Sequence, residues 1–146
     1  MDVIPVLRNA LEVRIVPGKG RGVFTLAKIP CQQCIEISPV IVFSEDEYAK
    51  HGQYTVLNEF TYFWKGKNQA LALGLGSLFN HSRNPNVCWI KDEDAQVIRY
   101  YTIRDIQSDE ELCISYGNHV WFEEVDEHVN SSEPEDDENF LLAIEN

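Results

Sequence analysis

Nowhere in this chain does an apolar run approach the ~18 to 20 residues that a membrane-spanning helix needs. The longest, such as residues 40–43, end after a few positions. The opening MDVIPVLRNALEVRIV has no basic cluster ahead of an apolar block and no small-residue cleavage site, so no secretion signal is expected and the chain reads as soluble and intracellular, without a membrane partner. Cysteine is sparse as well, with four residues, Cys31, Cys34, Cys88 and Cys113. In a reducing compartment these are expected as thiols. Cys31 and Cys34 form a C-x-x-C, but a structural zinc needs two more ligands at suitable spacing, and the other two stand singly in or beside apolar segments. Small buried thiols are the expected reading, metal or redox use is the alternative, and no metal is expected.

Basic residues are outnumbered, 12 against 24 acids, for a formal charge of -12. Ten of those acids fall in residues 123–146, which hold no Lys or Arg; residues 1–122 carry fourteen acids and twelve bases, or -2. The acidity belongs to a tail. With no basic patch to meet phosphates, direct nucleic-acid binding is not expected. The tail either favours a basic, lysine-rich partner or is a solvated, solubilising segment. Residues 131–139 have the composition of a disordered segment, whereas FLLAI at 140–144 is an apolar plug on a polar tether, suited to docking on its own domain or on a second copy.

At 146 residues and 44% apolar content, the chain is large enough to bury one core. Residues 11–16, LEVRIV, alternate as a strand does and end at Pro17. The PGKGRGVF that follows lacks phosphate-loop spacing and does not open a helix. Its glycines at 18, 20 and 22 instead predict a loop whose backbone comes very close to a ligand or a neighbouring strand. Residues 34–43, with Pro39 in the middle, read as a bent or edge strand. Ser44 with Glu47 is a capping box for a short helix over 45–50. After the aromatic-rich 55–64, 65–68 read as a turn into apolar 70–75; strands are expected at 87–91 and 97–103 across an acidic turn, and a last strand at 112–116. Short strands, glycine-rich turns and little helical periodicity make this a mostly β domain with few short helices.

Residues 76–86, GSLFNHSRNPN, put an apolar segment, an Asn-His-Ser triplet and an Asn-Pro-Asn turn into one short stretch. A structural turn has no need of the histidine. Together with G-x-G-V-F near the start and E-E-L-x-x-x-Y-G near the end, it gives three ordered motifs that resemble the SET-domain protein lysine methyltransferases. The resemblance covers roughly residues 12–122 and is closest to the small stand-alone, viral-like SET histone methyltransferases. It implies a β-clip fold of several small sheets with a knot-like crossing near the C-terminus, a SET domain over 1–122, an acidic tail over 123–146, and S-adenosylmethionine (SAM) as cofactor.

Carried over residue by residue, the resemblance places Lys19, Gly20, Arg21 and Gly22 against the methionine end of SAM, and Asn80 and His81 on its amino group and adenine. His81 has a structural reading beside this one. Trp121 packs on the adenine or is a core tryptophan. Tyr116 matches the tyrosine beside the transfer centre, where it both contacts the cofactor and positions the amine. Tyr62 matches a second tyrosine that walls the lysine channel. Ile114 stands where the family carries Phe or Tyr; lacking a hydroxyl there, the chain is expected to permit di- or trimethylation. Arg83 follows Ser82 where larger relatives place a zinc cysteine, and no cysteine follows Cys113, so the channel-closing zinc is expected to be absent. The implied substrate is a histone H3 tail lysine, as peptide or nucleosome, the implied location the nucleus, with the cytoplasm as a second location, and the implied assembly a homodimer. A SET fold that has lost catalysis and only binds lysine-rich or methylated peptides is the competing reading.

Overall fold

The computed structural model describes residues 8–115. Strand β1 (Leu11–Val16) turns through Pro17, Gly18 and Lys19 into β2 (Gly20–Thr25), pairing antiparallel from Leu11↔Thr25 to Val16↔Gly20. The expected glycine loop is therefore largely strand. Its turn is confined to a few residues because Gly18 and Gly20 adopt φ of 81° and 85°, a left-handed conformation that glycine reaches without steric cost.

Strand β3 (Cys34–Phe43) lies inside a five-stranded sheet whose order is β4 (Thr61–Phe63), β5 (Gln69–Ala72), β3, β8 (Val97–Thr102), β7 (Val87–Asp92), not at its edge. Pro39 is tolerated because the strand changes partners around it. Cys34 to Pro39 pair with β8 (Val97–Thr102), and Val40 to Phe43 pair with β5 (Gln69–Ala72), so the missing N–H of proline falls at the handover. The N-cap half of the expected capping box forms: Ser44 Oγ accepts from Glu47 N at 3.1 Å and starts helix α1 (Glu45–Lys50).

Strands β4 (Thr61–Phe63) and β7 (Val87–Asp92) are the two edges of this sheet, yet side chains bring them together. Tyr62 of β4 meets Trp89 of β7 edge to face at 4.8 Å. Lys91 Nζ of β7 donates to Phe63 O at 3.2 Å and lies 6.0 Å from the Trp64 ring centre. The sheet thus curls until its edges face each other. Burial pushes the Lys91 ammonium below its usual pKa, since removing water disfavours the charged form.

The second sheet, ordered β1-β2-β9-β6, adds β6 (Asn80–His81) and β9 (Glu111–Ile114). β9 begins one residue before the expected 112, and residue 116 lies outside the described residues. Val23, Leu112 and Ile114 of this sheet share a buried core with Ile35, Ala70, Ala72, Ile98 and Tyr100 of the other, capped by Trp64 and Phe79. The stretch 76–86 runs between the two sheets, which gives it its importance. Among the described residues, no helix is long and apolar enough to cross a membrane, and no group of three or more His, Cys, Asp or Glu is placed to hold a metal ion.

Candidate active site

Residues 80–86 straddle β9. Asn80 and His81 pair in parallel with Cys113 and Ile114, and Ser82 N donates to Ile114 O at 2.9 Å. Successive residues of a strand present their backbone groups to opposite edges. Asn86 takes the other edge: its N donates to Cys113 O (3.2 Å), its Nδ2 donates to Glu111 O (2.8 Å), and its Oδ1 accepts from Cys113 N (2.8 Å). A side chain thus replaces a neighbouring strand. Asn86 is 3% exposed, so these bonds are made away from water and β9 is clamped from both sides.

The clamp delivers Asn80 to the start of β2. Asn80 Nδ2 donates to Arg21 O at 2.9 Å and to Glu111 Oε2 at 2.8 Å. Both neighbours are acceptors, so the amide's orientation is fixed with NH2 toward them and Oδ1 turned away. Lys19 Nζ stands 3.9 Å from the other carboxylate oxygen, Glu111 Oε1. Gly22 is required here by space: a Cβ on it would lie 2.6 Å from Glu111 Oε2 and 2.9 Å from Asn80 Nδ2. The close approach read from the glycines holds at Gly22, with these two side chains as its protein partners, whereas a Cβ on Gly18 or Gly20 would meet nothing within 4 Å. Cys113, opposite Asn80, has its thiol pushed up to about 11 by burial and then by the adjacent Glu111 carboxylate.

A second cluster lies under the segment leading to Asn80. Tyr62 Oη donates to Gly76 O at 2.9 Å and accepts from Tyr100 Oη at 3.0 Å. Tyr100 is fully buried, its ring is 4.8 Å from Phe79, and its hydroxyl is held well above its usual pKa, first by burial and then by Tyr62. Glu36, 1% exposed, accepts from Leu75 N at 2.9 Å. A Cβ on Gly76 would lie 2.6 Å from both Ser38 Oγ and Tyr100 Oη. Three strands therefore fasten the backbone at 75 and 76, from which Phe79, Asn80 and His81 follow.

Trp89 joins the two clusters. Its ring supports Tyr62, and its Nε1 donates to Ser115 O at 3.1 Å, fixing the chain one residue before Tyr116. Of the residues expected in the site, Lys19, Arg21, Gly22 and Asn80 gather around Glu111, Gly20 lies where the β1–β2 turn enters β2, with nothing within 4 Å of where its Cβ would be, and half-buried His81 pairs with β9. Tyr62 stands in the aromatic cluster. Ile114 is 1% exposed within the main core. Tyr116 and Trp121 lie outside the described residues.

Glu111, Trp89, Tyr100 and Asn86 were given no role from the sequence. Signals for them existed: Glu111 is the second acid of E-E-L-x-x-x-Y-G, Asn86 closes N-H-S-x-x-P-N, and Tyr100 falls on an inward position of the alternating VIRYYT. For Trp89, which sequence spacing places only on a strand, none is evident.

The model of the SET domain family matches residues 20–117. Over 140 residues, 95% of each chain, the sequence is 58% identical to a Schizosaccharomyces pombe protein named histone-lysine N-methyltransferase, H3 lysine-37 specific. It is 35% identical over 74 residues, 51% of this chain and 27% of the other, to an Acanthamoeba polyphaga mimivirus protein named as SET domain-containing. A crystal structure of a Plasmodium falciparum chain, described as a histone methyltransferase, superposes with a TM-score of 0.61 at 30% identity, over 77% of this chain and 96% of that one.

Proposed function

We propose, from the premise that this chain belongs to the SET domain family, that it is a SAM-dependent histone-lysine N-methyltransferase acting on H3 lysine-37. The observation that carries the reading is the Asn80 amide: both its N–H groups are committed to Arg21 O and Glu111. The site therefore offers an acceptor, Asn80 Oδ1, held by the neighbouring Glu111 carboxylate, to a cationic ligand. The α-ammonium of SAM fits that acceptor, and Lys19, Gly20, Arg21, Gly22, Asn80 and His81 are the residues that would hold it, with Tyr116 and Trp121 completing the site. When bound, SAM supplies an electrophilic methyl group on a sulfonium. The lysine position within H3 is taken from the name of the 58% identical relative.

The task left to the chain's own residues is to align and deprotonate the lysine. Its amine, with a solution pKa of ~10.4, becomes easier to deprotonate where aromatic walls exclude water. Tyr62 and Trp89 provide such a wall and accept the aliphatic stem. With its hydroxyl donating to Gly76 O and accepting from Tyr100, Tyr62 acts as a wall and not as a proton shuttle. Tyr116 positions the amine, and the Trp89–Ser115 bond holds the chain that leads to it.

With Ile114 in place of a hydroxyl-bearing residue, products beyond monomethyl-lysine form; monomethyl peptide alone at long times with excess enzyme, read by mass spectrometry, overturns that. A SET domain over 1–122 with an acidic recruiting tail over 123–146, a homodimer and a nuclear location complete the proposal. Light scattering that gives a monomer at micromolar concentration removes the dimer. The central test is transfer of labelled methyl from SAM to histone H3. Asn80→Ala weakens SAM binding, whereas Tyr116→Phe spares binding and lowers turnover. SAM binding without transfer by the wild-type chain makes it a binding module instead.

A further inference from the structure

Asn80 has two bonds holding its amide, and they are not equal. A bond to a carboxylate is roughly twice as strong as one to a neutral carbonyl, so Glu111 sets the orientation more firmly than Arg21 O. Glu111 is itself well held. Its backbone pairs with Phe24 and accepts from Asn86 Nδ2. Its side chain is 16% exposed, lies within 3.9 Å of Lys19 Nζ, and meets a β2 backbone that at Gly22 leaves no room for a single carbon. If the amide turned over, Asn80 Oδ1 would face a carboxylate and a carbonyl, with no hydrogen between.

We infer that Glu111 is a positioning residue for the cofactor: through Asn80 Nδ2 it holds Asn80 Oδ1 toward the α-ammonium of SAM. The inference rests on the reading of this site as the SAM site. It makes a distinction that simple charge attraction does not. S-adenosylhomocysteine keeps the α-ammonium and lacks the sulfonium charge, so a residue acting through Asn80 on the amino group affects both ligands equally. A residue acting as a bare negative charge on the sulfonium affects SAM alone. Glutamine at 111 has a carbonyl oxygen that accepts from Asn80 Nδ2, so it preserves the orientation while removing the charge.

Isothermal titration of the full chain with SAM and with S-adenosylhomocysteine tests this. Glu111→Ala is expected to weaken both ligands by about 10-fold, the size of one charge-assisted hydrogen bond, and Glu111→Gln to stay within about 3-fold of wild type. Glu111→Ala added to Asn80→Ala is expected to weaken binding no further, because residues acting through one contact are not additive. In turnover, Glu111→Ala raises KM for SAM and leaves KM for the histone peptide unmoved. Should Glu111→Ala fail to fold, Asn80→Asp carries the test: it sets two carboxylates together and weakens binding, and Asn80→Asp with Glu111→Gln, whose amide can donate to the aspartate, restores it.

Unchanged binding in Glu111→Ala, a loss additive with Asn80→Ala, a loss confined to SAM, or no restoration in the swapped pair overturns the inference while the function stands. A wild-type chain that binds neither ligand overturns the function and this inference with it.

Discussion

Adding one methyl group at Gly22 should separate cofactor binding from stability. The Cβ of Gly22→Ala would lie 2.6 Å from Glu111 Oε2, 2.9 Å from Asn80 Nδ2 and 3.0 Å from Val16 Cγ2. Carbon and oxygen approach closely only to ~3.3 Å, so the carboxylate must retreat by about 0.7 Å. Its 2.8 Å bond to Asn80 then lengthens past useful range. A hydrogen bond to a charged group contributes ~1.5 to 3 kcal/mol. With the carboxylate partly open to water the lower half of that range applies, ~1.5 to 2 kcal/mol, or about 10- to 30-fold in SAM affinity. Folding loses the same bond but gains ~0.4 to 1 kcal/mol from a stiffer unfolded chain, so the melting temperature falls by only a few degrees. Titration calorimetry and a thermal melt of the same sample read both quantities. A SAM affinity within twofold of wild type would refute the reasoning, because it would mean that the amide's orientation is not set at Gly22.

Asn86→Ala removes both side-chain bonds to β9 and leaves Cys113 N and Glu111 O buried without those partners; at ~1 to 3 kcal/mol for each unsatisfied group, urea titration should show a loss of about 3 kcal/mol. Tyr100→Phe removes the donor to Tyr62 and should raise KM for the peptide about threefold while SAM affinity is unchanged; a change in SAM affinity would show that the two clusters are not separable. Burial pushes the thiols of Cys88 and Cys113 up to about 12 and about 11, so at pH 8 roughly one molecule in 10⁴ and one in 10³ is thiolate, the reactive form. Iodoacetamide followed by peptide mass spectrometry should modify exposed Cys31 well before either, and early labelling of Cys113 would contradict the packing around Glu111.

What could be read from the sequence was whatever local chemistry decides. The N-cap bond of Ser44 to Glu47 joins groups three residues apart and forms as expected. The alternation of 97–102 became a strand with one face in the core, whereas 11–16 became a strand through its pairing with β2, its Val13 and Ile15 left exposed. Pro39 was harder. Its missing N–H is a local fact, but the position where β3 changes partners depends on two strands that come later in the chain. The site divides in the same way. Lys19, Arg21, Gly22 and Asn80 were visible as motif residues and do come together, yet Glu111 is separated from Asn80 by 31 positions, and no spacing rule joins a carboxylate to an amide at that range. Trp89 bridges Tyr62 and Ser115 only because the sheet curls until its edges meet. Curvature of that kind is a property of the assembled sheet and leaves no local mark.

The clamp of residues 80–86 on β9 also bears on how the protein is made. A growing chain can close the β1–β2 hairpin and the β7–β8 hairpin from near neighbours, with little loop-closure entropy. It cannot complete the cofactor cradle, because the strand that Asn80, Ser82 and Asn86 grip is synthesised after both hairpins. Until then the amide groups of Asn80 and Asn86 face water, and the inner edge of β2 is an open template for pairing with another chain. A nascent chain stalled between Ile106 and Glu111 should be sticky and unable to bind cofactor, and synthesis of β9 should resolve both conditions together.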